Sequence, residues 1–290
     1  MSTSSTREEQ QITLKRHDND VCVITLTGTP HKANVFDLPL LQHLDRLLTL
    51  VEQEYMPCTL IIRGQGNKFF SAGFDLQALT GSGHRSSKNN QKNSNTNNNN
   101  NNSSTNNNSS SKATPKSVQG DALINFSWQV LNRLLVFPAP TICLLNGHAF
   151  GLGLFLALAC DYRIMMMTAG QKGGTLLCLP EITIGLPLGS GFAALAKCKL
   201  TPQTLRTAAL TGKQFTANEA FKAGIVDGTV PFSDQEISPY VLKLAKQLVT
   251  TATKGNLSLI KQELYHETQA VLLSGQQRSV SSSTASRSRL

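Results

Sequence analysis

The stretch P-T-I-C-L-L-N-G-H-A-F-G-L-G-L-F-L-A-L-A-C-D-Y-R-I-M-M-M, Pro140–Met167, decides how the chain folds. Thr141–Leu145 is an apolar run short enough for a buried strand, and Asn146 and Gly147 turn the chain after it. From Gly151 to Cys160 the residues are apolar on every side, which predicts a helix with no solvent face. The apolar run Ala149–Cys160 holds 12 residues, too few to span a bilayer. Asp161 ends it, and Tyr162–Met167 reads as another buried strand. A helix that opens at a glycine-rich turn presents unpaired backbone N–H groups in its first turn, an arrangement suited to an anionic oxygen. A plain core helix with glycines for close packing has the same pattern, so this stretch alone leaves both readings open.

Working outward, the next run is L-L-C-L-P-E-I-T-I-G-L, Leu176–Leu186. Upstream, N-K-F-F-S-A-G-F-D-L, Asn67–Leu76, follows the apolar run Thr59–Ile62. Ile12–Arg16 and Val21–Thr27 read as two strands around the turn His17-Asp18-Asn19-Asp20. Phe36, Leu40, Leu41, Leu44, Leu47, Leu48 and Val51 fall at helical spacing, with Asn34 as the expected N-cap. Pro57 precedes a strand at Cys58–Arg63, and the succession suits an α/β core.

From 81 to 117 the composition changes abruptly. Asn89–Ser111 holds 13 Asn among 23 residues and nothing apolar. Such a segment cannot bury enough surface to offset its ordering entropy, so a disordered insert in a surface loop is expected. Helical patterns resume at Asp121–Leu135, stopped by Pro138 and Pro140, and recur at Gly189–Lys199 and Pro202–Leu210. Thr216 and Glu219 have the spacing of a capping box that opens a short helix closed by Gly224. Ile225–Val230 reads as the last strand, and Tyr240–Val249 and Leu257–Leu273 as amphipathic helices outside the core. The expected organisation is a tail over 1–10, a core over 11–235 interrupted by the 81–117 insert, a helical region over 236–275, and a Ser- and Arg-rich flexible tail over 276–290.

The formal net charge is +9, but Lys and Arg are scattered and no basic stripe is interleaved with aromatics, so nucleic acid is not an expected partner. The basic surface suits a modest attraction for an anionic substrate. Six cysteines at 22, 58, 143, 160, 178 and 198 form no C-x-x-C pair and read as reduced core thiols of an intracellular protein. The start of the chain has no apolar signal-peptide segment. Gly151-x-Gly153 lacks the third glycine of a dinucleotide fingerprint, because Leu156 stands there. There is no P-loop and no H-E-x-x-H motif, and Gly189-Ser190-Gly191 has the wrong spacing for a nucleophile elbow.

Four blocks in order, S-A-G-F-D at 71–75, N-G-H-A-F-G-L-G at 146–153, L-P-E-I-T-I-G-L at 179–186 and Thr211–Asp227, resemble the signature blocks of the enoyl-CoA hydratase/isomerase (crotonase) superfamily. The resemblance covers residues 11–80 and 113–265. It implies an α/β fold, a crotonase-like ββα-superhelix core with a C-terminal helical extension. It further implies a fatty enoyl-CoA substrate, no metal or redox cofactor, and a homotrimer or hexamer.

Loss of a proton beside a thioester carbonyl places negative charge on the carbonyl oxygen, and two fixed N–H donors stabilise it. By the family's pattern the donors are the backbone N–H groups of Phe74 and Leu152, next to Gly73 and Gly151. Ser71, Ala72, Gly73, Phe74, Asp75, Leu76, Gly151, Leu152 and Phe155 are the expected substrate-binding positions. The resembling hydratases use two glutamates, one three residues after the second donor and one in the P-E block. Here the first position is Phe155, which holds no water, and the second is Glu181. One carboxylate beside two donors suits a proton shuttle, most like the 3,2-enoyl-CoA isomerases. Asp75 and Asp161 are expected to be structural and His148 to hydrogen-bond its own loop, while Phe69, Phe70 and Phe74 read as core more than acyl contacts. Finally, Ser288-Arg289-Leu290 resembles the peroxisomal S-K-L address, which implies an import receptor as partner and the peroxisome matrix as location.

Overall fold

The computed structural model describes residues 12–18, 20–27, 33–76, 79, 115–167, 174–233 and 236–281. The N-terminal tail, the Asn-rich tract and Ser288-Arg289-Leu290 lie outside the described residues.

Strands β1 (Ile12–His17) and β2 (Val21–Leu26) form an antiparallel hairpin whose turn holds Asp18 at φ +55°. Beyond β2 the sheet is parallel, with β3 (Thr59–Gly64), β5 (Thr141–Leu145), β7 (Tyr162–Met167) and β10 (Gly228–Pro231) in that order. A smaller sheet orders β4 (Phe69–Ser71), β6 (His148–Phe150), β8 (Leu176–Cys178) and β9 (Phe215–Thr216), with only β9 antiparallel. The chain therefore repeats one unit: a strand in the large sheet, a short strand in the small sheet, then a helix. The three turns are β3–β4–α2 (Pro115–Leu135), β5–β6–α3 (Leu152–Ala159) and β7–β8–α4 (Ser190–Lys199).

The continuous apolar runs of the strands follow from burial on both faces of the large sheet. Cys22, Ile24, Leu60, Ile62, Cys143, Leu145 and Met165 face the main core. Their alternates Val21, Val23, Ile61, Ile142, Leu144, Ile164 and Met166 face a second core on the opposite side. Five of the six cysteines are buried and Cys198 is exposed. The main core draws residues from both sides of the insert, such as Leu48 and Phe70 before it and Leu131 and Leu272 after it.

Several boundaries differ from the sequence reading. Helix α1 (Leu38–Glu54) is capped by Asp37, whose Oδ1 accepts from Leu40 N at 2.9 Å. Asn34, the expected cap, instead sits at φ +50° with its side chain buried. Helix α2 starts at Pro115, six residues before Asp121, so the end of the expected insert is helical. After α5 (Pro202–Thr211), Thr216 and Glu219 form the expected capping box at the start of α6 (Ala217–Lys222).

The last two helices are not outside the core. Helix α7 (Pro239–Ala252) covers the second face of the large sheet with Val241 and Ala245, and Thr59 Oγ1 donates to Ala245 O at 2.8 Å. Helix α8 (Leu257–Ser281) packs on α2 and α4 and buries Leu272 in the main core. It also continues into the segment read as a flexible tail, since adding a residue to a formed helix costs far less than starting one.

Candidate active site

The four signature blocks meet where the small sheet abuts the first turn of α3. Asn34 organises the first of them. Its Nδ2 donates to Phe69 O at 3.2 Å and Phe70 O at 3.0 Å, while its own carbonyl accepts from Ser71 Oγ at 2.7 Å. Ser71 Oγ in turn accepts from Gly73 N at 3.1 Å. Phe36 then pairs with Phe74 as an isolated parallel bridge. In that bridge Phe36 N donates to Gly73 O and Asp75 N donates to Phe36 O, so Phe74 turns its own N–H the other way.

The second block is set by Asn146 and two glycines. Asn146 is buried, accepts from Gly64 N at 2.8 Å, and donates to Gly64 O and Gly66 O. Gly73, at φ +96°, lies so close to the neighbouring loop that a Cβ would stand 2.9 Å from Phe150 O and 3.5 Å from Leu152 N. Leu152 is the first residue of α3, where no intrahelical partner exists for its N–H. Neither Phe74 N nor Leu152 N has an acceptor among the described residues.

Glu181 opens a 3₁₀ turn, Glu181–Ile184, three residues after the end of β8. A Cβ on Gly151 would stand 3.4 Å from its Oε1, and Pro180 stands beside the same point. Its Oε2 is buried with no hydrogen-bond partner among the described residues. Burial raises the Glu181 carboxyl above the usual carboxylate range, partly offset by a backbone hydrogen bond. The charge also acts outward: burial first, then Glu181, pushes the Cys178 thiol up to about 11.

These groups border a cavity of about 650 Å³. Its walls include Ala72, Gly73, Phe74, Gly151, Leu152 and Glu181, with Leu76, Leu79, Ile124, Leu188 and Phe192 making most of the rest apolar. Among the described residues that line it, only Asp75 and Glu181 ionise. The structure thus brings most of the expected binding positions to one cavity. Ser71 and Phe155 are corrections, since both stand behind the wall. Ser71 is spent on Asn34 and Gly73, and the Phe155 ring packs on Phe192 with centroids 4.7 Å apart. Phe70 is core, while Phe74 and, unforeseen, Phe150 line the cavity. Asn34 and Asn146 were also missed, because a buried asparagine leaves no periodic signal.

Asp161 is structural as expected, accepting from Thr141 N at 2.8 Å and from Lys261 Nζ at 2.6 Å. His148 bonds across the small sheet rather than within its own loop, as its Nδ1 accepts from Leu176 N on β8 at 3.1 Å. No three His, Cys, Asp or Glu side chains come together among the described residues, nor is any described helix long and apolar enough to cross a membrane.

The family model "Enoyl-CoA hydratase/isomerase" matches residues 111–286. The chain belongs to the enoyl-CoA hydratase/isomerase family. Among its relatives in this family, enoyl-CoA delta isomerase 3 of Arabidopsis thaliana is 30% identical over 86% of this chain and 90% of its own. Enoyl-CoA delta isomerase 2, peroxisomal, of the same plant is 28% identical over 87% and 92%. The fatty acid oxidation complex subunit alpha of Vibrio vulnificus is 33% identical, but over 49% of this chain and 19% of its own. Solved enoyl-CoA hydratase structures share the crotonase fold. A probable enoyl-CoA hydratase of Mycobacterium tuberculosis gives a TM-score of 0.71 at 18% identity, covering 93% of this chain and 95% of that one. One from Mycobacterium marinum gives 0.69 at 20%, covering 92% and 98%.

Proposed function

We propose that this family member is a 3,2-enoyl-CoA isomerase, moving the double bond of a 3-cis or 3-trans enoyl-CoA to the 2-trans position. The observation that carries the reading is the Glu181 carboxyl beside Gly151, its Oε2 buried without a partner among the described residues, near the N–H groups of Phe74 and Leu152, while Phe155, at the position where the resembling hydratases carry a second glutamate, packs on Phe192. The thioester oxygen takes the N–H groups of Phe74 and Leu152. Glu181 removes a proton from C2, and the C–H electrons form an enolate held by those donors. The same carboxyl returns the proton to C4, leaving the conjugated C2=C3 bond. No other reactant is consumed. A raised carboxyl suits this task because it must accept the proton and give it back.

The Arabidopsis relatives named delta isomerases support the reading, and the relative named for fatty acid oxidation supports a role in the breakdown of unsaturated fatty acids. The relative named peroxisomal supports import into the peroxisome matrix, where the tripeptide Ser288-Arg289-Leu290 would be the signal for an import receptor. The assembly that we infer is a homotrimer or a hexamer. Asp75 favours a second reading, because it puts another carboxylate on the cavity wall. A two-acid reaction, hydration or dienoyl-CoA isomerisation, would use both.

The test is turnover of 3-cis-enoyl-CoA and, separately, 2-trans-enoyl-CoA, followed by the absorbance of the conjugated thioester. Conjugation gained in the first and kept in the second supports the isomerase. Conjugation lost in the second means hydration. If turnover is abolished in Asp75→Asn, the two-acid reading prevails.

A further inference from the structure

Strand β8, which leads to Glu181, lies between β9 and β6: it pairs with β9 at Leu176 with Thr216 and Leu177 with Phe215, and with β6 at two positions among the described residues, Ala149 with Leu177 and Phe150 with Cys178. At one end of this ladder Gly151 N donates to Cys178 O at 3.0 Å, which ties the turn before Leu152 to the strand before Glu181. At the other end the bond comes from a side chain: Leu176 N donates to Nδ1 of His148 at 3.1 Å. The His148 ring cannot swing freely. It stacks on Phe150 with centroids 5.5 Å apart and planes at 25°, and packs against Phe69 at 5.3 Å. Its own backbone N donates to Lys68 O at 2.9 Å.

We propose that His148 is a positioning residue, a peg whose neutral ring extends the β6–β8 ladder by one rung and so sets Glu181 against Gly151. The peg works in one protonation state. Nδ1 accepts from Leu176 only when it carries no proton, so the proton of the neutral ring is on Nε2. A second proton would go to Nδ1 and turn the acceptor into a donor facing another donor. Among the described residues, the charged group that faces the ring is Lys68, on the turn into β4; Phe69, Phe150 and Leu176 bring none. Burial, and then Lys68, keep the imidazole below its usual value, so the accepting form is the one present at neutral pH.

The role rests on the isomerase reading for its kinetic test but not for its structural one. His148→Phe keeps a stacking ring and removes the acceptor, while His148→Asn keeps an acceptor at the Nδ1 position and cannot titrate. For the full-length protein, kcat on 3-cis-enoyl-CoA is expected to fall roughly tenfold in His148→Phe with KM little changed, and to recover in His148→Asn. The acid side of the wild-type profile should carry two titrations, and His148→Asn should keep only that of Glu181. Wild-type kcat in His148→Phe, or equal losses in both variants, overturns the proposal. Hydrogen exchange over residues 174–181 is read on the same proteins. Faster exchange in His148→Phe with wild-type exchange in His148→Asn supports the peg even if no enoyl-CoA is turned over, in which case only the isomerase reading fails. Unchanged exchange in His148→Phe overturns it.

Discussion

Glu181 sets a buried oxygen with no partner among the described residues beside Gly151, whose φ of +50° favours glycine. Replacing Glu181 by Gln keeps the shape and removes the proton carrier. Isomerisation is expected to fall by about 10²–10⁴-fold while enoyl-CoA still binds, as turnover and a binding titration would show. The sign of the pH effect follows from the raised carboxyl. The fold favours the neutral acid, so that contribution is complete below the usual glutamate value and is lost as pH rises through the raised one. Glu181→Gln should therefore be at least as stable as wild type at neutral pH, with the difference closing in acid, as denaturant melts at several pH values would report. Gly73 is the other residue with no substitute. Alanine there meets φ +96° and places Cβ 2.9 Å from Phe150 O. Gly73→Ala should lose activity and about 1–3 kcal/mol of stability, read as a lower midpoint of unfolding.

Among the elements, α6 shows how far a local pattern reaches. Thr216 Oγ1 accepts from Glu219 N, and Thr216 N donates to Glu219 Oε2 at 2.9 Å. The Thr216 backbone N–H first, and then Lys213, whose Nζ stands 2.9 Å from Glu219 Oε1, hold the Glu219 carboxyl down at about 2. Its contribution is present above the usual glutamate value and disappears as pH falls toward about 2. Thr216→Ala is expected to cost about 1 kcal/mol at neutral pH, measured by chemical denaturation. This element was legible because both partners lie within four residues. The cap of α1 was not, since Asn34 and Asp37 are equally good caps locally. Asn34 is drawn away because β4 needs its side chain, a partner 35 residues distant.

Across the molecule, the C-terminal helix is tied to the centre by one buried cation. Lys261 Nζ donates to Phe137 O at 2.9 Å, Ala139 O at 3.1 Å and Asp161 Oδ2 at 2.6 Å, with only 5% of its side chain exposed. Asp161 follows the end of α3, so this lysine links α8 to the helix that begins at Leu152. Lys261→Met leaves the carboxylate with Thr141 alone and is expected to cost about 3–5 kcal/mol. The paired change Lys261→Met with Asp161→Asn should cost less than the single one, and the two midpoints of unfolding check it.

What the amino-acid sequence determined by itself was the set of elements and the chemistry they could carry. Runs apolar on every side announce strands and a helix buried on all faces, while the carboxylate of Glu181 and the N–H groups of Phe74 and Leu152 were singled out by the resemblance of four short blocks to a known family. Those signals are local, because burial and backbone freedom are written into each residue. Only the tertiary structure decided the rest. It turned Phe74 N–H away from Phe36, moved Ser71 and Phe155 behind the cavity wall, set Asp75 on it, and folded the last two helices onto the core. Each of those outcomes depends on pairing between segments far apart in the chain, and no residue records in its own type which distant partner will reach it.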